Sequence, residues 1–120
     1  MGKWKRSSEA LIQKFHHIME RFEGIERKKM FGYPCCFCKG NMFTGLHEEN
    51  WVLRLHEEDR KEIEKLGAKP FEPMGRLMKE YVLIPQNILN EENALQEWMR
   101  RSLTFVSTLP RKVPKNRKQK

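Results

Sequence analysis

Three cysteines crowd into one short stretch, Tyr33-Pro34-Cys35-Cys36-Phe37-Cys38-Lys39. The chemistry such a cluster offers is that of thiolates: soft ligands for zinc, or a redox-sensing thiol whose pKa a nearby lysine such as Lys39 lowers. On an extended strand, side chains alternate, so Cys36 and Cys38 share one face and Cys35 takes the other. A zinc site would then draw on Cys36 and Cys38, with His47 or His56 completing a tetrahedron. The CC-x-C spacing lacks the two-residue gap of the usual zinc knuckle. A disulfide between neighbouring Cys35 and Cys36 would be strained. Set against these readings is a plainer one, in which free cysteines pack as small apolar side chains.

The cations form two further candidate groups. Arg54 alternates away from the apolar face of Trp51-Val52-Leu53-Arg54-Leu55, and Arg76 and Lys79 lie in a Gly/Pro-rich loop, so the three are a candidate anion or phosphate site. Ordinary surface pairing with Glu48, Glu49 or Glu80 is the competing account. Lys28, Lys29, Arg100 and Arg101, with the terminal Arg111, Lys112, Lys115, Arg117 and Lys118, are the candidates for salt-sensitive contact with nucleic acid. Trp4 and Tyr33 are the aromatic residues available for stacking on bases, but no interleaved aromatic–basic motif and no helix-turn-helix pattern accompanies them. Sequence-specific readout is therefore not expected. No phosphate-binding loop, nucleophile elbow or HExxH helix is present. Cys38 and His56 as nucleophile and base would lack a third, orienting group. We expect a non-enzymatic domain with no cofactor.

These residues must be positioned by a small set of elements. Leu11, Phe15, Ile18 and Phe22 recur at helical spacing behind a Ser7 or Ser8 cap, and Gly24 is the stop. Lys28–Tyr33 opens the sheet. Cys35–Lys39 and Met42–Leu46 flank a Lys39-Gly40-Asn41 turn, and Glu48-Glu49-Asn50 leads into the Trp51–Leu55 strand. Residues 56–66 form a short charged helix closed by Gly67. Pro70 and Pro73 allow no more than an edge strand near Phe71, and Glu80–Ile84 is a strand stopped by Pro85. Asn90 caps the last helix, with Leu89 and Ala94 as a hydrophobic staple and Leu95, Trp98, Met99, Leu103 and Val106 as its apolar face. The predicted architecture is α+β: a two-layer α-β(3)-α-β(2)-α arrangement whose antiparallel five-stranded sheet is covered by helices on one face.

A chain of 120 residues is one domain by length. The expected divisions are a basic N-terminal arm over 1–7, a domain over 8–109 and a basic, disordered tail over 110–120. The net charge of +8 belongs to the ends. Residues 1–6 and 110–120 hold nine of the 24 basic residues and no acid, which leaves 15 basic against 16 acidic in the body. A basic pI therefore does not describe the folded surface. No apolar run is long enough for a membrane span, and no apolar segment follows the N-terminal charges as in a signal peptide. A cytoplasmic protein is expected, with no membrane contact and either a monomer or a homodimer.

Several segments together resemble the N-terminal domain of the TfoX/Sxy competence-regulator family. They are RKKMFG, the Gly40 hairpin, NMFTGL, WVLRL, GAKPFEP, MKEYVLIP and ALQEWMRRSL, and the likeness spans about residues 8–109. The resemblance implies the same two-layer fold, related to YjbR-like proteins. It also implies a role in transcription regulation through protein contact, since founding members are bacterial and act with a cyclic-AMP receptor protein. Founding members carry a second, C-terminal domain, so this chain is expected to be a stand-alone N-terminal module. Tyr33-Pro34 after Gly32 departs from the family pattern, where many relatives have a second glycine. The family brings no catalytic residues.

Overall fold

Two turns that need positive φ set the architecture. The computed structural model describes residues 5–111. Phe31 and Gly32 have φ of 55° and 86°, and Lys39 and Gly40 have 53° and 82°, the signs of a type I′ hairpin turn. The first pair corrects the sequence reading at one point. The strand expected over Lys28–Tyr33 is broken at Phe31-Gly32, which folds β1 (Glu26–Met30) back on β2 (Tyr33–Cys38). The sheet therefore has six strands, not five. After β3 (Asn41–His47) and β4 (Asn50–Arg54) come α2 (Glu57–Lys65), the two-residue β5 (Lys69–Pro70), a one-turn 3-10 helix over Pro73–Gly75, and β6 (Tyr81–Leu83). The spatial order is β1-β2-β3-β4-β6-β5, antiparallel throughout. Both edges discourage further pairing: β1 reads Glu-Arg-Lys-Lys-Met and is exposed along its length, and β5 ends in Pro70.

Helices cover one face. α1 (Glu9–Met19) is capped by Ser8, whose Oγ accepts from the Leu11 N–H. It ends at Met19, short of the expected Gly24. Phe15 from this helix packs on Trp51 with ring centroids 5.1 Å apart. The last helix does not start at Asn90. Asn90 instead closes a short helix, α3 (Gln86–Leu89), and its carboxamide oxygen accepts from Gln86. α4 (Glu92–Ser107) then crosses the sheet, burying Leu95, Trp98, Met99, Ser102 and Val106. The core between the layers takes Cys36, Cys38, Phe43, Leu46, Trp51, Leu53, Leu55 and Val82 from the sheet.

Polar groups inside this core are paired. The Thr44 hydroxyl donates to the Val52 carbonyl and accepts from the Trp51 indole N–H, both at 2.8 Å. A bulge leaves Phe43 without a partner in the β2–β3 register, and its carbonyl lies 3.2 Å from the Ser102 hydroxyl, which donates to Arg54 O at 2.5 Å. An unmet buried polar group would cost more than a typical bond contributes, so these contacts fix where α4 sits on the strands.

Candidate apolar interaction cleft

The helices leave the other face of the sheet open, and sequence alternation determines what lies there. The register aligns Cys35, Gly45, Val52 and Leu83 across β2, β3, β4 and β6. Gly45 keeps the centre of this row flat: a Cβ built there would stand 2.9 Å from Cys35 Cβ and 3.3 Å from the Pro34 carbonyl oxygen. Over this floor opens an apolar cleft of about 180 Å³. The β1–β2 hairpin supplies one wall with Met30, Phe31 and Tyr33, and the segment after β5 supplies the other with Phe71, Pro73 and Met78. Tyr33, tilted, and Phe71, edge-on, pack against His47 with ring centroids 5.4 and 5.3 Å away, and close one end. Burial holds the His47 pKa below its usual value, with Glu48 partly opposing.

Exposed apolar side chains gather on the same two walls. Phe31 is 76% exposed and Met74 80%, with Met30, Leu77 and Met78 also on the surface. Leu66, at the end of α2, is the other large exposed apolar residue among the described residues. Sequence reasoning missed this cleft. The available signal was Met30-Phe31 at a hairpin tip and Met74, Leu77 and Met78 in a Gly/Pro loop, apolar residues that no helix or strand period required.

Each candidate residue read from the sequence can now be placed. The three cysteines are free and buried. Cys36 and Cys38 enter the core and Cys35 the cleft floor, as alternation required. His47, two residues beyond Gly45 on β3, faces the cleft side, opposite to Cys36 and Cys38. His56 instead caps α2, its Nδ1 accepting from the Glu58 N–H at 3.2 Å. Among the described residues no three His, Cys, Asp or Glu side chains are placed to hold a metal ion. Burial pushes the Cys36 thiol up to about 12, against a smaller lowering by Arg27, and raises that of Cys35 against Lys28.

The cations are dispersed. Arg54 is bound to Glu80, with Nε and Nη2 each 2.7 Å from Oε1, while Arg76 and Lys79 are exposed in the loop that walls the cleft. Arg101 joins Asp59 and Glu62 of α2 at 3.3 and 2.9 Å and lies over the Trp98 ring. Arg100 pairs with Glu97. Lys28 stands 4.9 Å above the Phe37 ring on β1's neighbour, and Lys29 pairs across with Pro34. Lys28 and Lys29 thus stand on the edge strand β1, and Arg100 and Arg101 on α4. Arg111 is exposed, and Lys112, Lys115, Arg117 and Lys118 lie outside the described residues, as do Trp4 and most of the expected tail. Of the expected N-terminal arm, residues 5–7 are described and are tied to the sheet. Tyr33 donates to the Lys5 carbonyl, and Ser7 donates to the Glu48 carbonyl at 2.6 Å. No helix among the described residues is long and apolar enough to cross a membrane.

Comparison with known families matches the model of the TfoX N-terminal domain to residues 17–106. Comparison with curated proteins finds none.

Proposed function

Because this chain belongs to the TfoX N-terminal domain family, which is linked to competence regulation and regarded as regulatory rather than catalytic, we propose that it is a non-enzymatic adaptor acting in the cytoplasm. It works in transcription regulation by holding a protein partner in the apolar cleft on the open face of the sheet. The observation that carries this reading is the exposed apolar side chains on both walls of one cleft. Contiguous apolar surface of this kind marks interaction sites in soluble domains. Met30, Met42, Met74 and Met78 sit in or beside it, and the unbranched, polarisable methionine side chain adapts to the shape of what it meets.

The test is retention of a partner from the native cell at moderate salt by the full chain, compared with Phe31→Glu and Met78→Lys. Both positions are exposed, so the folded state should survive with an unchanged urea midpoint. We expect the partner to be kept by the wild type and lost by both variants. A wild-type chain that keeps nothing, or variants that keep the partner as well as wild type, would refute the reading. Direct contact with nucleic acid is the alternative proposal, and it would fall to the terminal Lys and Arg residues, since Arg54, Arg100 and Arg101 are already paired with carboxylates.

A further inference from the structure

The charge around the cleft differs in sign from the charge on the rest of the folded body. The two segments that form its walls, residues 26–30 and 69–79, hold six basic residues and two acidic ones. The remainder of residues 7–109 holds nine basic and fourteen acidic. Glu80, next along the chain, is bound to Arg54. Arg27, Lys28, Lys29, Lys69, Arg76 and Lys79 are all exposed, and none of them is in an ion pair among the described residues; Lys28, opposite Cys35, and Lys69, opposite Leu83, lie on the cleft side of the sheet, whereas Arg27 and Lys29, opposite Cys36 and Pro34, lie on the helix side. An apolar floor bordered on both sides by unpaired cations, on a body that is otherwise acidic, defines the complement it would accept.

From this asymmetry we infer that the cleft takes an acidic amphipathic segment of a partner protein, its bulky apolar side chains on the floor between Met30 and Met78 and its carboxylates against Lys28, Arg76 and Lys79. The inference rests on the proposed function and adds the chemistry of the partner. Charges at the rim steer and select a partner, while the apolar centre holds it. The same body repels acidic segments elsewhere, which restricts them to this face. Phosphate backbones also seek cations, but the floor between these cations is almost wholly apolar, and the rings that could meet bases, Phe31, Tyr33, His47 and Phe71, lie at its margins. A second copy of the chain would bring the same basic walls against each other.

The test uses the full chain with its methionine methyl groups observed by NMR. One probe is a synthetic amphipathic helical peptide with Leu and Phe on one face and Glu on the other. The second is the same peptide with Lys for Glu, and the third is a short DNA duplex. The Glu peptide should shift the methyls of Met30, Met42, Met74 and Met78, and leave those of the buried Met19 and Met99 unchanged. It should bind at least about tenfold more tightly than the Lys peptide, a difference of about 1.4 kcal/mol. The variant carrying K28E, R76E and K79E, all at exposed positions, should reverse that order and keep its urea midpoint. Equal affinity for both peptides would overturn the inference. So would shifts outside the cleft, methyl shifts that follow the chain's own concentration, or a DNA duplex that moves the same methyls where the Glu peptide does not. If a cellular partner is retained but cross-links away from Met30 and Met78, this inference and the cleft both fail, and adaptor activity alone stands. If a partner is lost on Phe31→Glu while the Lys peptide binds as well as the Glu peptide, the proposed function stands and only the acidic character fails.

Discussion

At the scale of single residues, the buried polar and titratable groups separate structural roles from chemical ones. Thr44 serves two partners at once, the Val52 carbonyl and the Trp51 indole. Thr44→Val keeps the shape and strands both. We expect a loss of about 1–3 kcal/mol in urea unfolding, the cost of a buried donor left without an acceptor, whereas a midpoint equal to wild type would mean that water reaches the indole. Cys36 is wholly buried with its thiol pushed up to about 12. A thiol raised in this way stays protonated near neutral pH, which disfavours a redox-sensing role, because the thiolate is the reacting form. Cys35 and Cys36 should therefore resist iodoacetamide until urea unfolds the chain, and rapid labelling of the native protein would restore the thiol reading. His47 is held neutral more readily in the fold than in the unfolded chain. The unfolded state thus binds the extra proton first, and stability falls as pH drops below about 6.5, the unfolded value. The urea midpoint of the wild type should fall more steeply between pH 7 and pH 5 than that of His47→Gln, and parallel curves would count against this assignment.

At the scale of elements, the open face depends on a strand position without a side chain. Gly45 lies between Cys35 and Val52, and the nearest atom a new Cβ would meet is the Cβ of Cys35, which belongs to the strand and cannot swing away. Gly45→Ala must push β2 and β3 apart or tilt one of them. Overpacking of this kind costs about 1–3 kcal/mol, and it also raises the cleft floor. A lowered melting temperature together with weakened retention of a partner is the expected result. A variant as stable as wild type would show that the sheet accommodates a methyl group there. The β1–β2 hairpin shows how far the reading of elements from sequence could go. Gly32 was visible, but Phe31 with a positive φ was not, because bulky residues rarely adopt that conformation. Lys28–Tyr33 therefore looked like one strand. The Lys39-Gly40-Asn41 turn was legible because Gly and Asn, which tolerate the positive φ of tight turns, stand between two strand-forming runs.

At the scale of the whole molecule, charge is arranged in three zones: basic ends, an acidic body and basic cleft walls. The ends should dominate any contact with nucleic acid. Removing residues 112–120 takes away Lys112, Lys115, Arg117, Lys118 and Lys120. It should lower affinity for duplex DNA and flatten the dependence of log K on log salt, whose slope counts the phosphates neutralised. An unchanged slope would place the contact on the folded body instead. The sequence by itself determined the α+β class, the antiparallel sheet, the amphipathic helices α1 and α4, the core face of β4 and the family. All of these follow from local periodicity and from motifs spread along the whole chain. Alternation also put Cys35 opposite Cys36 and Cys38. Only the tertiary structure decided that His47 lies across the sheet from Cys36 and Cys38, that Arg54 is occupied by Glu80, and that Arg101 clamps α4 to α2. It alone brought Met30 and Phe31 to face Met78 across the floor built on Gly45. Those pairings join residues far apart in the chain, and which partners meet is set by how the helices leave one face of the sheet uncovered, a property no local window contains.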